Sequence, residues 1–167
     1  MTTFDPRTEV SNRRLSKIAE RADGDDGLFA ELLTAEVFDV RHDNSEAWYD
    51  CRHPDTGTKY ECRSTHRQID NPSGEVAGRF RMWESAHRRL AGAEGAEDQT
   101  AYYVFVLFGG DSDPTESSQP VAMRRAHPST VTRILRERSD DGAAWHASGH
   151  ESKGKQHKLP WDSVIDV

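Results

Sequence analysis

The stretch Ala47-Trp48-Tyr49-Asp50-Cys51-Arg52, His53-Pro54-Asp55-Thr56-Gly57-Thr58, Lys59-Tyr60-Glu61-Cys62-Arg63-Ser64-Thr65 decides the fold. Its middle block carries turn chemistry, with Pro and Asp to bend the chain and Gly to close it. The flanking blocks therefore read as two strands of a hairpin, 47–52 and 59–65. Side chains alternate along a strand, so Lys59, Glu61 and Arg63 share one face and Tyr60, Cys62 and Ser64 the other. If 53–58 is the loop, Arg52 pairs with Lys59 and Asp50 falls opposite Glu61. Two carboxylates side by side are destabilising without compensation. Arg63 supplies part of it, and a divalent cation, which takes carboxylate oxygens, would supply more. A slip of one residue would turn Asp50 away from Glu61, so the argument depends on this register.

Upstream, Leu15, Ile18, Ala19 and Ala22 have helical spacing and predict a helix over 12–22. Asp23-Gly24-Asp25-Asp26-Gly27 ends it. These acids invite a calcium-loop reading, but position 12 counted from Asp23 is Thr34, where such a loop needs a bidentate Glu. Leu28, Leu32 and Ala35, flanked by Leu33 and Val37, mark a second helix that runs to about Phe38 and carries Glu31. Residues 41–46 are polar. Downstream, 66–78 contains Asn71-Pro72-Ser73-Gly74 and reads as a loop. Trp83, Ala86, His87 and Leu90 predict a helix over 82–92, and 92–99 a linker. The apolar run Ala101 to Phe108 reads as a strand buried on both faces. Residues 111–119 read as a loop, 121–126 as a strand, and Ser129 opens a helix to about Arg138. Trp161, Val164 and Ile165 dock the tail on the domain. The order is that of a small α/β layer arrangement around one central sheet.

An acidic residue, a short hairpin and then Glu-x-Arg, preceded by a helix bearing Glu31, resemble the PD-(D/E)XK, or restriction-endonuclease-like, nuclease superfamily. The likeness covers about 26–110, and with the helix at 82–92 and the strand at 101–108 it implies that family's αβββαβ core, a central mixed sheet flanked by helices. Residues 1–25 are then an N-terminal helix and acidic linker, and 26–167 a nuclease-like domain with a basic C-terminal segment. The resemblance implies that Asp50 and Glu61 hold Mg²⁺ or Mn²⁺, with the Cys62 carbonyl as third ligand, and that the reaction is hydrolysis of DNA phosphodiesters. Arg63 stands where the family has lysine; arginine supplies charge but never accepts a proton. Glu31, His87 and Gln68 are auxiliary candidates, and His66 is a further phosphate contact. For His87 the plainer reading is a partly buried side chain beside Ala86 and Leu90. The competing functional reading is a catalytically weak or inactive relative that binds nucleic acid or protein.

Composition narrows the rest. Charged residues are 31% of the chain, and the net charge of −7 does not by itself advertise a nucleic-acid binder. Charge is uneven, however. Residues 1–50 hold twelve acids and six bases, whereas 51–95 hold eight bases and six acids. Arg79, Arg81, Arg88, Arg89 and the segment holding Lys153, Lys155 and Lys158 are the candidate DNA-contacting rim. Cys51 and Cys62 are too few for a disulfide scaffold. With His53 and His66 they offer zinc-type ligands, but the spacing matches no common zinc pattern, and small buried side chains are the simpler reading. No apolar run reaches the length of a membrane span, and no signal-peptide pattern opens the chain. The expectation is a cytoplasmic protein with DNA as partner, no membrane association, and homodimerisation left open. Gly-rich phosphate loops, serine-nucleophile motifs and the Rossmann fingerprint are absent from the sequence.

Overall fold

The computed structural model describes residues 2–44, 48–96, 100–109, 119–139, 145–149 and 152–166. Two helices open the chain, α1 (Asn12–Ala22) and α2 (Asp26–Phe38). Each starts on a side-chain cap: Ser11 accepts from the Arg14 amide, and Asp25 from the Leu28 amide. Asp23 and Asp39 end them in the left-handed conformation, which Asp tolerates better than most residues. Strands β1 (Arg41–His42), β2 (Cys51–Arg52) and β3 (Lys59–His66) follow. A hairpin of β4 (Gln68–Asn71) and β5 (Gly74–Ala77) leads to β6 (Arg79–Trp83) and helix α3 (Glu84–Glu94). Then come β7 (Ala101–Gly109), β8 (Gln119–Ala126), α4 (Pro128–Glu137), β9 (His146–Ala147) and β10 (Lys155–Pro160).

The central sheet has the order β1-β2-β3-β7-β8. β3 and β7 run parallel, from Lys59 opposite Ala101 to His66 opposite Phe108, and the other pairs are antiparallel. A parallel pair needs a long crossover, and α3 lies within it. The series α2-β1-β2-β3-α3-β7 is the expected αβββαβ core, with β4, β5 and β6 inserted before α3. On one face of the sheet α1 and α2 bury Ile18, Phe29 and Leu33 against Tyr60, Cys62, Val104 and Val106. On the other, Phe80, Met82 and Leu90 pack with Tyr103, Phe105, Leu107 and the Val164–Ile165 tail. Burial on both faces explains why β7 is apolar throughout.

Several elements differ from the sequence expectation. The strand placed at 47–52 shortens to Cys51–Arg52, with Trp48–Asp50 forming a bend and Ala47 outside the described residues. A third strand, β1, comes from the polar stretch after α2, and the expected loop 66–78 contains the β4–β5 hairpin. The helix begins at Glu84, not at 82, and extends to Glu94. Most of the loop placed at 111–119 lies outside the described residues. A second sheet, β6-β10-β9, stands beside the central one.

Candidate active site

The hairpin register is the one that the loop length dictates: Cys51 lies opposite Tyr60 and Arg52 opposite Lys59. The paired ladder ends there, so Asp50, expected opposite Glu61, lies instead in the bend just before β2. The Asp50 amide donates to the Tyr60 carbonyl at 2.9 Å. Its carboxylate Oδ2 accepts from the Cys62 amide at 2.7 Å. Asp50 is thus held against the backbone of β3 by both its main chain and its side chain. Lys59 Nζ, 5.8 Å from the ring centroids of Trp48 and Tyr49, braces the bend that delivers it.

Glu61 is buried, at 5% exposure, on the face of β3 next to Tyr103 of β7. Burial raises its carboxyl pKa to about 7; Arg63 opposes the rise, and Asp50 and Glu31 add to it. Burial likewise raises Asp50, against the Cys62 amide and the charges of Arg63 and His42. Glu31, on α2, is raised by burial and then by the charge of Asp50. Three carboxylates therefore feel one another across a partly dry site. Arg63 is the cation among them. Its guanidinium forms an ion pair with Glu61, and its Nη1 donates to the Cys62 carbonyl at 2.7 Å. Burial disfavours its charge, but the Glu61 and Asp50 carboxylates outweigh that, and its pKa is raised. Its buried Nε has no hydrogen-bond partner among the described residues.

Two site residues carry no sequence signal of their own. His42, on β1, meets Glu31 Oε2 through its Nε2 at 2.6 Å. The Cys51 thiol donates to the main-chain oxygen of Glu31 at 3.4 Å. Tyr103 lies beside Glu61 and Arg63, and its hydroxyl meets His87 Nδ1 at 3.1 Å. His42 sits in a stretch with no periodicity, and Tyr103 reads as one more apolar residue of a buried run. Only the sheet register brings them to the site.

The oxygens of Asp50, Glu61 and the Cys62 carbonyl are of the hard type that Mg²⁺ and Mn²⁺ take. Among the described residues no group of three or more His, Cys, Asp and Glu side chains is placed to hold a metal ion. A cation held here would have to draw on a main-chain carbonyl beside two carboxylates. Two of these three groups, Glu61 and the Cys62 carbonyl, are engaged by Arg63, so the donor set fits the ion once that guanidinium turns away. The zinc-type residues stay apart in role. Cys51 and Cys62 are buried free thiols, Cys62 donating to Thr34 Oγ1 at 3.3 Å. His53 accepts the Asp55 and Thr56 amides within its turn, and His66 meets Asp26 at 2.6 Å.

Comparison with protein-family models matches residues 16–166 to the PD-(D/E)XK nuclease superfamily domain. The chain belongs to that superfamily. Neither the curated proteins nor the solved structures give a match.

The remaining candidates of this nuclease domain fall in two places. His87 is buried on α3, its Nε2 2.9 Å from Thr132 Oγ1 of α4, and burial lowers its pKa to about 4. It supports Tyr103 from behind. Gln68 is exposed at the start of β4, two residues after β3 ends. Arg79 and Arg81 are exposed on β6, whose alternate residues Phe80 and Met82 fill the core. Lys158 is the direct cross-strand partner of Arg81. Alternation puts Lys155 on the other face of β10, with His157 and Leu159. Arg88 pairs with Glu84 along α3. No helix among the described residues is long and apolar enough to cross a membrane.

Proposed function

We propose that this nuclease domain is a metal-dependent DNA phosphodiesterase in which Asp50, Glu61 and the Cys62 carbonyl hold Mg²⁺ or Mn²⁺ and Arg63 stands in for the family's lysine. One observation carries the reading: the Asp50 carboxylate is held on the Cys62 amide beside Glu61, and its charge raises the cost of ionising both Glu61 and Glu31. A divalent cation there supplies Lewis acidity at the scissile phosphate and makes the attacking water more acidic. The Cys62 amide fixes the Asp50 carboxylate in place before any ligand arrives. Arg63, turned from Glu61 toward the phosphate, stabilises the charge that builds on its oxygens. It takes no proton from water. Glu31, oriented by His42, is the auxiliary carboxylate.

The Arg63 contacts favour a second reading. The guanidinium engages two of the three proposed ligand groups, and an ion pair so placed competes with a cation. A domain locked in this way binds nucleic acid without turnover. The two readings separate on Arg63→Lys, assayed with Mg²⁺ or Mn²⁺ on single- and double-stranded DNA beside Arg63→Ala and Asp50→Ala. In a working enzyme adapted to arginine, lysine leaves cleavage similar or lower, and alanine at 63 cuts it strongly. In a locked relative, lysine restores or raises cleavage. If no form cleaves either DNA, the phosphodiesterase reading fails and the binding module replaces it.

A further inference from the structure

The outer face of the β6-β10-β9 sheet is cationic in a chain whose net charge is −7. Phe80 and Met82 point inward, fully buried, so Arg79, Arg81 and Trp83 project outward in a row. On the neighbouring strand Pro160, Lys158 and Gln156 lie opposite them in that order. Arg81 and Lys158 are thus a directly opposed like-charge pair, an arrangement that costs stability. Among the described residues of β6 and β10 on this face, none is acidic. The missing counter-charge is of the kind that a polyanion provides.

The row ends in an aromatic ring. Trp83 is half-buried and flanked by two cations, Arg81 Cζ at 5.8 Å and Lys153 Nζ at 5.6 Å from its ring centroid. It is also the residue that leads into α3, one helical turn before His87, and His87 touches the Tyr103 that pairs in register with Glu61. The ring therefore stands at the end of β6 that leads into α3.

A DNA duplex offers phosphates to such a face, but its bases are stacked on one another and present no free plane to an indole. A single strand offers both, and an aromatic ring among cations is the arrangement by which proteins hold unpaired bases. We infer that the β6–β10 face is a single-strand DNA platform, in which an unpaired base stacks on Trp83 while Arg81, Lys153 and Lys158 take the phosphates on either side. The inference rests on the nuclease reading for its class of ligand and sharpens it to a strand with unpaired bases.

The test is fluorescence anisotropy of the full chain in EDTA, with labelled oligothymidylate and a labelled duplex, so that no cleavage enters. Single-strand affinity should exceed duplex affinity. Trp83→Ala should weaken single-strand binding by at least about fivefold, in line with the loss of one stacked base, and duplex binding by less than about twofold. Trp83→Phe, which keeps a ring and the half-buried position, should retain most of the single-strand affinity. Equal losses on both DNAs, no loss on either, or a Trp83→Phe protein as weak as Trp83→Ala would overturn the platform. Because binding is read without metal, cleavage with no dependence on Trp83 refutes this inference alone. Ring-dependent binding with no cleavage refutes the phosphodiesterase alone.

Discussion

Glu61 is where burial and function pull against each other. Its carboxyl pKa is raised from 4.5 to about 7. Between those pH values the folded chain keeps a proton that the unfolded chain has released, so stability falls as pH rises, at about 1.4 kcal/mol per unit while the group titrates. Below 4.5 both states are protonated and the penalty is absent; above 7 it is complete. Glu61→Gln removes this dependence. In EDTA the variant should gain on the native chain steadily from pH 4.5 to pH 7, by about 3 kcal/mol in all. Asp50 and Glu31 slope the same way. His87, lowered from 6.5 to about 4, slopes the opposite way between those values, since there the unfolded chain holds the extra proton. The His87 contribution is common to both proteins and cancels in the comparison, whereas Asp50 and Glu31, whose charges act on Glu61, add to the difference. Paired melting curves across this range check it, and a constant difference between the two proteins would contradict it. Under the proposed metal site, Mg²⁺ added above pH 7 should raise the Tm of the native chain and leave Glu61→Gln and Asp50→Ala nearly unmoved, because a bound ion favours the ionised carboxylates.

At the scale of elements, the second sheet hangs on one glycine. Gly78 joins the β4–β5 hairpin to β6, its amide donating to the Arg67 carbonyl at 3.0 Å and its carbonyl accepting from the Trp161 amide at 3.1 Å. Its φ is ordinary, so glycine is needed here for room and not for conformation. An added Cβ would lie 1.7 Å from the His66 carbonyl oxygen and 2.7 Å from Thr65 Oγ1. Backbone has to move, and Gly78→Ala should cost about 1–3 kcal/mol or more. That amounts to roughly 2–4 °C of Tm per kcal/mol for a chain of this size, readable by calorimetry. An unchanged Tm would mean that the β3–β6 junction yields freely. Gly78 was not visible as special in the sequence, whereas the hairpin at 51–66 was, because a six-residue turn and strict alternation leave one register. Helix α1 is legible from apolar spacing alone; α4 is legible as a helix, but it opens at Pro128, so Ser129 lies inside it and not at its start. β6 was not, although Arg79-Phe80-Arg81-Met82-Trp83 alternates cleanly. Trp83 also has helical spacing to Ala86, His87 and Leu90, and both periods share that one residue. β1 is two polar residues whose strand character comes wholly from pairing with β2. Of the site, the shared face of Glu61 and Arg63 is legible from strand alternation, whereas Asp50 is set by the bend before β2, and His42 and Tyr103 depend on contacts between distant segments.

Over the whole molecule, charge is uneven in an acidic chain, and a cationic face is what a polyanion meets first. Its acids cluster in 1–50, although α1 itself carries Arg13, Arg14, Lys17 and Arg21 against Glu20; a nucleic acid approaching β6–β10 meets Arg79, Arg81 and Lys158. DNA affinity on the proposed platform should therefore fall steeply with salt, since each lysine or arginine that neutralises a phosphate releases condensed counterions. The lysines near the end of the chain are not equivalent in this respect. Lys158 shares the outer face with Arg81, and Lys153 lies beside Trp83. Lys155 alternates to the opposite side, in the row of His157 and Leu159. Lys158→Gln should weaken binding uniformly across sequences and lower the slope of log affinity against log salt by about one. Lys155→Gln, which removes the same charge from the same strand, should change the slope by much less. Salt titrations of the two variants on one oligonucleotide compare them directly. Equal slopes would mean that net charge, and not the outer face of β6–β10, governs the encounter.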